Sequence, residues 1–408
     1  MLTRQPTAAA VWRDKKRHLW LLGLFVPTML FTVLPLVWGL NRLGWHTAAQ
    51  IPLWIGPILI YALLPALDLL VGADGQNPPD EVMEQLENDR YYRYATYAYI
   101  PFQYASAIFG AYLFTAADLS WLGYPDGLGW LGKIGVAMTT ATVAGVGINT
   151  AHELGHKRDA LERWLSKITL AQVCYGHFYV EHNRGHHVRV ATPEDPASAR
   201  FGESFWEFLP RSTFGGIRSA WQLEAARIRR TGKNPWNPTT WPGNDAANAL
   251  AMSVVFWAAM IAFFGLGLLP YLLINAIYGS SLLESVNYLE HYGLVRRKLD
   301  NGRYERCTPQ HSWNSDHMVT NLFLYHLQRH SDHHANPTRR YQTLRSFDDS
   351  PNLPAGYGAL IGLTYLTPLW RRLMDHRVLA HYDGDISRAN IAPRRREKIL
   401  ARYPVAAS

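Results

Sequence analysis

Cysteine is nearly absent from this chain of 408 residues, which contains only Cys174 and Cys307. Two thiols so far apart do not make a disulfide framework, and the lack of paired Cys-x-x-Cys segments argues against a cysteine-ligated metal cluster. The sequence also lacks zinc-finger spacing, an RNP-like stretch, internal repeats and low-complexity linkers. We therefore do not interpret its net charge of +8 as a sign of nucleic-acid binding. We attribute it to membrane orientation and to contact with anionic headgroups or an acidic partner.

Long apolar stretches and aromatic residues are abundant instead. The chain has 15 tryptophans and 22 tyrosines, residue types that concentrate at membrane interfaces. A helix needs roughly 20 apolar residues to cross a bilayer. Six stretches approach or exceed that length, at 18–40, 51–71, 95–116, 130–150, 247–269 and 270–290. They predict an all-α integral membrane protein with six transmembrane helices, the first of them not a cleaved signal peptide.

The distribution of lysine and arginine predicts the orientation in the membrane. The tail before the first span is basic, whereas the connection at 41–50 has one basic residue and that at 117–129 has none. By the positive-inside rule, the tail, the 72–94 loop, the basic segment 151–246 and the C-terminal third face the cytoplasm. We therefore expect a multi-pass protein of the bacterial inner membrane with both termini in the cytoplasm.

The spans and the polar segments divide the chain into four parts of one integrated catalytic domain. Residues 1–150 hold the tail and the first four spans, and residues 247–290 hold the last two. Residues 151–246 and 291–408 are rich in histidine. We expect these two segments to form a helical cap on the cytoplasmic side of the bundle.

Most of the 17 histidines lie in those two polar segments, close to the ends of predicted spans. Imidazoles at positions i and i+4 of a helix share a face about 6 Å apart, so both can reach one ion. The candidate metal ligands are His152, His156, His182, His186, His187, His291, His330, His333 and His334. Two six-coordinate ions would offer about twelve positions, so nine imidazoles leave roughly three for water or dioxygen. Open positions are what oxygen activation requires.

The spacing also predicts how the ligands are shared. His182 and His186 form an i, i+4 pair, and the adjacent His187 points elsewhere, as needed to reach a second ion. The last three candidates, from His330 to His334, form an i, i+3, i+4 trio on one helical face.

Other metal proteins share parts of this pattern. The His-Glu-x-x-His segment that begins at His152 is also the signature of zinc metalloproteases. A zinc peptidase needs only about three protein ligands and one water, so most of the histidines would be unexplained. A metal transporter would instead carry polar residues through the membrane midplane.

The same histidine segments resemble the integral-membrane alkane monooxygenases, or alkane 1-hydroxylases, within the membrane fatty-acid desaturase/hydroxylase-like superfamily. The most specific mark is the segment Asn-Tyr-Leu-Glu-His-Tyr-Gly from Asn287 to Gly293. The resemblance runs from about Asp14 to residue 375 and so covers most of the chain. The nearest alternative is a membrane fatty-acyl desaturase or hydroxylase, against which this segment and the lack of a fused cytochrome b5 or acyl-carrier element argue.

The resemblance implies that two non-haem iron ions and O2 convert a medium-chain n-alkane into a primary alcohol and water. It also implies rubredoxin as the electron donor, itself reduced by an NADH-dependent rubredoxin reductase. No rubredoxin module with paired Cys-x-x-Cys is recognisable in the sequence, so we expect the donor either to be separate or to lie outside this sequence. A basic cluster is a candidate docking site for an acidic rubredoxin, although a surface facing lipid headgroups is the alternative. It contains Arg227, Arg229, Arg230 and Lys233.

Five carboxylates lie in or near the histidine groups. A metal-bound histidine normally donates its other N–H to a carboxylate or carbonyl, which fixes the tautomer of the ring. The candidates for this orienting role are Glu153, Glu181, Asp195, Glu290 and Asp332. The alternative for each is an exposed charge or a salt bridge.

The remaining assignments concern the substrate channel and the other histidines. Channel-lining candidates, for which helix packing or lipid contact is the alternative, are Trp38, Trp54, Ile60 and Leu64. Residues expected to lie hydrogen-bonded in the core or to support a ligand, with direct metal binding as the alternative, are His177, His311, His317 and His326. The interface or surface histidines are expected to be His18, His46, His376 and His381.

Overall fold

The computed structural model describes residues 12–404. Within this range the regular secondary structure is helical, and the only β pairing consists of isolated bridges. The prediction of an all-α protein is therefore confirmed.

Nine long helices form the frame of the molecule. We number them α1 Leu19–Arg42, α2 Ala48–Val71, α3 Arg90–Thr115, α4 Trp130–Gly155, α5 Ala160–Ala171, α6 Phe205–Arg229, α7 Asp245–Phe264, α8 Leu266–His291 and α9 Thr367–His381. Shorter helices are Met83–Asn88, Phe178–Glu181, His187–Arg189, Met318–Phe323, His330–Ala335, Tyr357–Thr364 and Arg396–Arg402. Two π-helical turns lie at Leu59–Leu63, inside α2, and at His182–His186.

Five of these helices, α1, α2, α4, α7 and α8, are long and apolar enough to cross a membrane, which indicates a membrane protein. The predicted span at 95–116 lies in α3, which has 26 residues but does not reach the same apolarity. The physical reason is its tyrosines, whose hydroxyl groups lower the hydropathy of an otherwise long helix. Among the described residues, five of the six predicted spans are therefore both long enough and apolar enough to cross a membrane.

Helix α4 lies at the centre of the bundle. In the most apolar 18-residue stretch of α4, 78% is buried inside the protein, whereas the figure for α7 is 22%. Small residues let α8 approach α4 closely: a Cβ at Gly145 would lie 2.7 Å from the carbonyl oxygen of Gly279. Such small-residue crossings are typical of helices packed within membranes. The close approach brings the C-terminal ends of α4 and α8 together, and His152 and His291 lie at those ends.

The cap over these helix ends comes from the two polar segments. The π-helical turn at His182–His186 and the short helix His330–Ala335 lie against the ends of α4 and α8. Helix α6 packs beside the π-helical turn, where Arg189 donates a hydrogen bond of 2.7 Å to Ser219 Oγ. A capping box between Ser204 and Glu207 fixes the start of α6.

Candidate metal centre

All nine candidate histidines converge at the ends of α4 and α8, where they form two groups. In each group, one ring nitrogen from every imidazole lies within 4.8 Å of the others. The five-histidine group contains His152, His156, His182, His187 and His333, and the four-histidine group contains His186, His291, His330 and His334. The four-histidine group is entirely buried, whereas two members of the five-histidine group, His156 and His187, are half-buried.

The ring nitrogens within each group face one another. In the four-histidine group, His330 Nε2 lies 2.8 Å from His334 Nε2 and 3.3 Å from His291 Nε2. In the five-histidine group, His333 Nε2 lies 2.9 Å from His152 Nε2 and 3.0 Å from His187 Nε2. A neutral imidazole carries a proton on only one nitrogen, so these converging atoms cannot all be paired by hydrogen bonds. A cation at the centre of each group would satisfy their lone pairs.

Two further observations fit a metal ion. The Nε2 atoms of His156 and His186 are buried without a hydrogen-bond partner. Burial, reinforced by the neighbouring imidazoles, also holds the pKa of six histidines outside the membrane-spanning helices well below the usual range. These are His156, His182, His187, His330, His333 and His334. Since the neutral ring is the form that binds metal, the residues present fit one ion in each group.

The π-helical turn decides which histidines belong together. Hydrogen bonds in a π-helix join residues i and i+5, and His182 Nε2 lies 3.0 Å from His187 Nε2 in the same group. His186 points to the four-histidine group instead. The sequence predicted the opposite pairing, His182 with His186, because an α-helical repeat was assumed for this segment.

The final histidine trio is also divided. His330 and His334 lie in the four-histidine group, whereas His333 lies in the five-histidine group. The helix His330–Ala335 has only six residues and lies between the two groups, so its successive side chains reach both. The prediction that His330, His333 and His334 lie on one helical face and share an ion is therefore wrong.

Two of the five carboxylates lie against candidate ligands, and both belong to the four-histidine group. Asp195 Oδ2 is 2.8 Å from His186 Nδ1, and Glu290 Oε1 is 3.1 Å from His330 Nδ1. Burial of Asp195 disfavours its charged form, but His186 and nearby hydrogen bonds outweigh this and lower its pKa to about 2. An ionised Asp195 accepts the Nδ1–H of His186 and leaves the Nε2 lone pair free for a metal.

The other three carboxylates form ion pairs with basic residues and not with imidazoles. This is the alternative that the sequence left open for each of them. The pairs are Glu153–Lys157 at 3.0 Å, Glu181–Arg189 at 2.6 Å and Asp332–Arg339 at 2.8 Å.

The histidines outside the two groups have other surroundings. His326 hydrogen-bonds with the Tyr341 carbonyl, His317 hydrogen-bonds with Ser315, and His311 lies within ion-pair distance of Glu305. His177 is half-buried beside a polar cavity. His18, His46 and His376 are exposed, and His381 is half-buried.

An apolar cavity lies between α2, α4 and α8. It is lined by Ile60 and Leu64 of the predicted channel residues, together with Leu282, Val286 and Ile361. Asn149 and Leu327 also border it, and each precedes a histidine of a metal group by three residues in the sequence. The inner end of the cavity therefore lies about one helical turn from residues of the metal groups, and none of the described histidines lines it.

The two predicted tryptophans lie elsewhere. Trp38 is 47% exposed and lies beside Arg42, on the outside of the bundle. Trp54 packs against α4, where its Nε1 donates a hydrogen bond of 3.0 Å to the Leu131 carbonyl. Both positions correspond to the alternatives of lipid contact and helix packing.

A second cavity, which the sequence did not predict, has polar side chains in its lining together with Phe178, Pro196 and Ala197. It is bordered by Tyr175, Ser212, Glu284 and Asn287, with His182 and His186 at one side. The signal in the sequence was Glu284, an acidic residue inside the predicted span 270–290, because ionisable residues in spans are rare and usually functional.

The basic cluster lies at the C-terminal end of α6. Arg227 is paired with Glu224 at 2.7 Å, so part of its charge is neutralised. Arg229, Arg230 and Lys233 are exposed. These three residues present the free positive charge of the cluster.

Comparison with known proteins places the chain in a family. Residues 128–364, which include all nine candidate ligands, match the family model described as fatty acid desaturase. The chain is 43% identical to alkane 1-monooxygenase from Acinetobacter baylyi, with 96% of this chain and 91% of the relative aligned. It is 43% identical to alkane 1-monooxygenase 1 from Alcanivorax borkumensis (97% and 93% aligned) and 41% identical to alkane 1-monooxygenase from Pseudomonas putida (97% and 94% aligned). The chain therefore belongs to the fatty acid desaturase family and, within it, to the alkane 1-monooxygenases.

Proposed function

We propose that the protein is a non-haem di-iron monooxygenase that hydroxylates the terminal methyl group of medium-chain n-alkanes to 1-alkanols. The observation that carries the proposal is the pair of histidine groups beside an apolar cavity, in a chain 43% identical to an alkane 1-monooxygenase over 96% of its length. The enzyme lies in the bacterial inner membrane, with its termini and both histidine groups on the cytoplasmic side.

The five-histidine group holds one iron ion and the four-histidine group holds the other. Imidazole is a suitable ligand for iron, and the buried rings of both groups favour the neutral form that binds it. When bound, the two ions supply the activation of O2, and the overall reaction is R–H + O2 + 2 e⁻ + 2 H⁺ → R–OH + H2O. Asp195 orients His186 by accepting the Nδ1–H of the ring. Glu290 lies 3.1 Å from His330 Nδ1 without hydrogen-bond geometry and accepts a hydrogen bond from the Tyr357 hydroxyl instead.

The apolar cavity binds the alkane. An alkane has no polar group to recognise, so its affinity comes from burial, at ~0.8 kcal/mol per CH2. Ile60 and Leu64 of α2 contact the hydrocarbon chain of the alkane, and Val286 of α8 contacts it as well. The side chains at the inner end exclude water and direct the terminal methyl group toward the histidines.

Electrons come from rubredoxin, which an NADH-dependent rubredoxin reductase keeps reduced. Arg229, Arg230 and Lys233 are exposed at the end of α6 and give an acidic donor a complementary surface.

Two other functions are less well supported. A fatty-acyl desaturase or hydroxylase is compatible with the family model, but the full-length relatives are alkane 1-monooxygenases. A zinc peptidase requires the glutamate of His-Glu-x-x-His as general base. Here Glu153 forms a buried ion pair with Lys157, and three further histidines surround His152 and His156.

The test is turnover by membranes that contain the protein, supplied with octane, rubredoxin, rubredoxin reductase and NADH. We expect 1-octanol, and purified protein should contain about two irons per chain. Membranes with a His291→Ala variant are the matched control for background oxidation. Conversion of a fatty-acyl substrate without any 1-octanol would refute the proposal, and so would one zinc and no iron per chain.

A further inference from the structure

Helix α8 separates the two cavities. Leu282, Leu283 and Val286 face the apolar cavity, whereas Glu284 and Asn287 face the polar one. The two sets project from different sides of the helix, because successive residues of an α-helix are rotated by about 100°. Helix α8 therefore has a mainly apolar cavity on one side and a cavity with polar side chains, including His182 and His186, on the other.

Glu284 is the most unusual residue of the polar side. It lies in a membrane-spanning helix and is only 2% exposed. Its Oε1 atom accepts a hydrogen bond of 2.5 Å from the Tyr175 hydroxyl, while its Oε2 atom is buried without a partner. Among the described residues, no basic side chain lies within ion-pair distance of Glu284. A buried carboxyl group without a cation is costly, and in membrane proteins such groups are typical of proton relays.

A chain of hydroxyl groups connects Glu284 with the edge of the cap. The Tyr175 hydroxyl lies 3.4 Å from Oγ1 of Thr213, which is half-buried on α6. On the other side of Glu284, the polar cavity extends to His182 and His186. These two residues belong to different histidine groups, so the cavity ends between the two proposed ions.

The proposed reaction consumes two protons for each alkane, and Glu284 places an ionisable group at the border of the polar cavity. We propose that Glu284 relays these protons from Thr213 and Tyr175 to the cavity beside His182 and His186. The Tyr175 hydroxyl gives its proton to Oε1 of Glu284 and regains one through Thr213. The same carboxyl group releases a proton from Oε2 to water in the cavity, whose polar lining offers the partners that a buried water needs. Only protons move along this path, and the electrons come from the external donor.

This inference rests on the proposed function, and Glu284→Gln is its main test. Glutamine has the same shape but no transferable carboxyl proton. We expect Glu284→Gln to retain its iron and to form 1-octanol about 100-fold more slowly, the scale of a lost proton-transfer group. Tyr175→Phe should also be slower. Tyr271→Phe is the matched control, because it removes a buried hydroxyl of α8 that donates to the Ala107 carbonyl and lies outside the polar cavity.

An infrared measurement on the resting protein follows the relay without turnover. We expect a protonated-carboxyl band that is absent from Glu284→Gln, that shifts when the protein is transferred into D2O, and that shifts more slowly in Tyr175→Phe. Glu284→Gln with wild-type turnover would overturn the proposal, as would a band that D2O does not shift. Iron loss from Glu284→Gln equal to that from His291→Ala would also overturn it and assign Glu284 to metal retention. If octane is not oxidised by the wild type, the proposed function fails, but the infrared result still tests the relay.

Discussion

The two histidine groups use the same kind of side chain in different surroundings. The five-histidine group includes two half-buried rings, and none of its rings lies within 4.0 Å of a carboxylate among residues 12–404. The four-histidine group is fully buried and has both Asp195 and Glu290 beside its rings. An ion in the four-histidine group would have fewer protein ligands, and one of them, His186, is made more basic by a hydrogen bond to Asp195. The two proposed irons are therefore not equivalent, and most of the open positions belong to the four-histidine group.

Loss of one ligand from each group should have the largest effect, because the two groups differ in how many histidines remain. We expect His291→Ala, which leaves three histidines in its group, to drop from about two irons per chain to about one. His156→Ala leaves four, as many as the intact smaller group has, so it should retain more iron. Alkane hydroxylation should be lost in His291→Ala. Iron per chain, measured by mass spectrometry on purified protein, distinguishes the two variants.

The control for this pair is His317→Ala, which removes a half-buried imidazole outside both groups. It should insert into membranes and hold about two irons, as the wild type does. If His291→Ala kept all of its iron, His291 would not be a ligand. Equal loss from His291→Ala and His156→Ala would remove the proposed difference between the groups.

The carboxylates give a second, smaller effect. Asp195→Asn keeps the shape of the residue but removes the charge that supports His186, so we expect iron binding to weaken about tenfold. Asp332→Asn is the matched change at a carboxylate that is paired with Arg339 and not with an imidazole. It should lower the free energy of unfolding by about 1–3 kcal/mol and leave iron affinity unchanged. Competition with a chelator measures the first quantity, and thermal unfolding measures the second.

Those two variants separate metal support from fold stability. If Asp332→Asn released iron as readily as Asp195→Asn, the contact with an imidazole would not matter. If Asp195→Asn kept wild-type affinity, the four-histidine group would not depend on its carboxylate.

The sequence predicted the helical fold and the nine histidines, because long apolar runs and repeated histidine spacing are local signals. It could not predict the division into groups, since that depends on the π-helical turn at His182–His186, and no spacing rule for an α-helix includes this turn. The partners of the carboxylates were also inaccessible. Asp195 lies near His186, nine residues before it in the sequence, and Glu290 lies near His330 on a different helix, so neither contact follows from helical spacing. Glu153, in contrast, contacts Lys157 one helical turn away. The polar cavity required the packing of α6 against α8 and could be suspected only from Glu284.

The inner end of the apolar cavity lies near both groups, because Asn149 and Leu327 stand three residues before His152 and His330. We expect Ile60→Phe to shorten the space for the alkane while both groups keep their iron. Exclusion of about two methylene groups would cost roughly 1.6 kcal/mol, or about tenfold in kcat/KM for the longer of two alkanes relative to the shorter. Competition between octane and a longer alkane measures this ratio. Trp38→Phe, at an exposed position outside the cavity, should leave the ratio unchanged, and an unchanged ratio in Ile60→Phe would place the alkane elsewhere.

The smallest effect concerns the surface that the electron donor would use. Helix α6 packs beside the π-helical turn through Ser219 and Arg189, and Arg229 lies about 15 Å further along the helix. The half-buried rings of the five-histidine group would make that group the one closer to a docked donor. The double variant Arg229→Ser, Arg230→Ser should raise the KM for rubredoxin about threefold, since each exposed charge pair contributes little. The dependence of this KM on salt concentration should also become weaker. The control is the double variant Arg394→Ser, Arg396→Ser, which changes two exposed residues near the C-terminal end of the chain and makes the same change in net charge. If both double variants raised the KM equally, the effect would come from net charge, and α6 would not be the docking site.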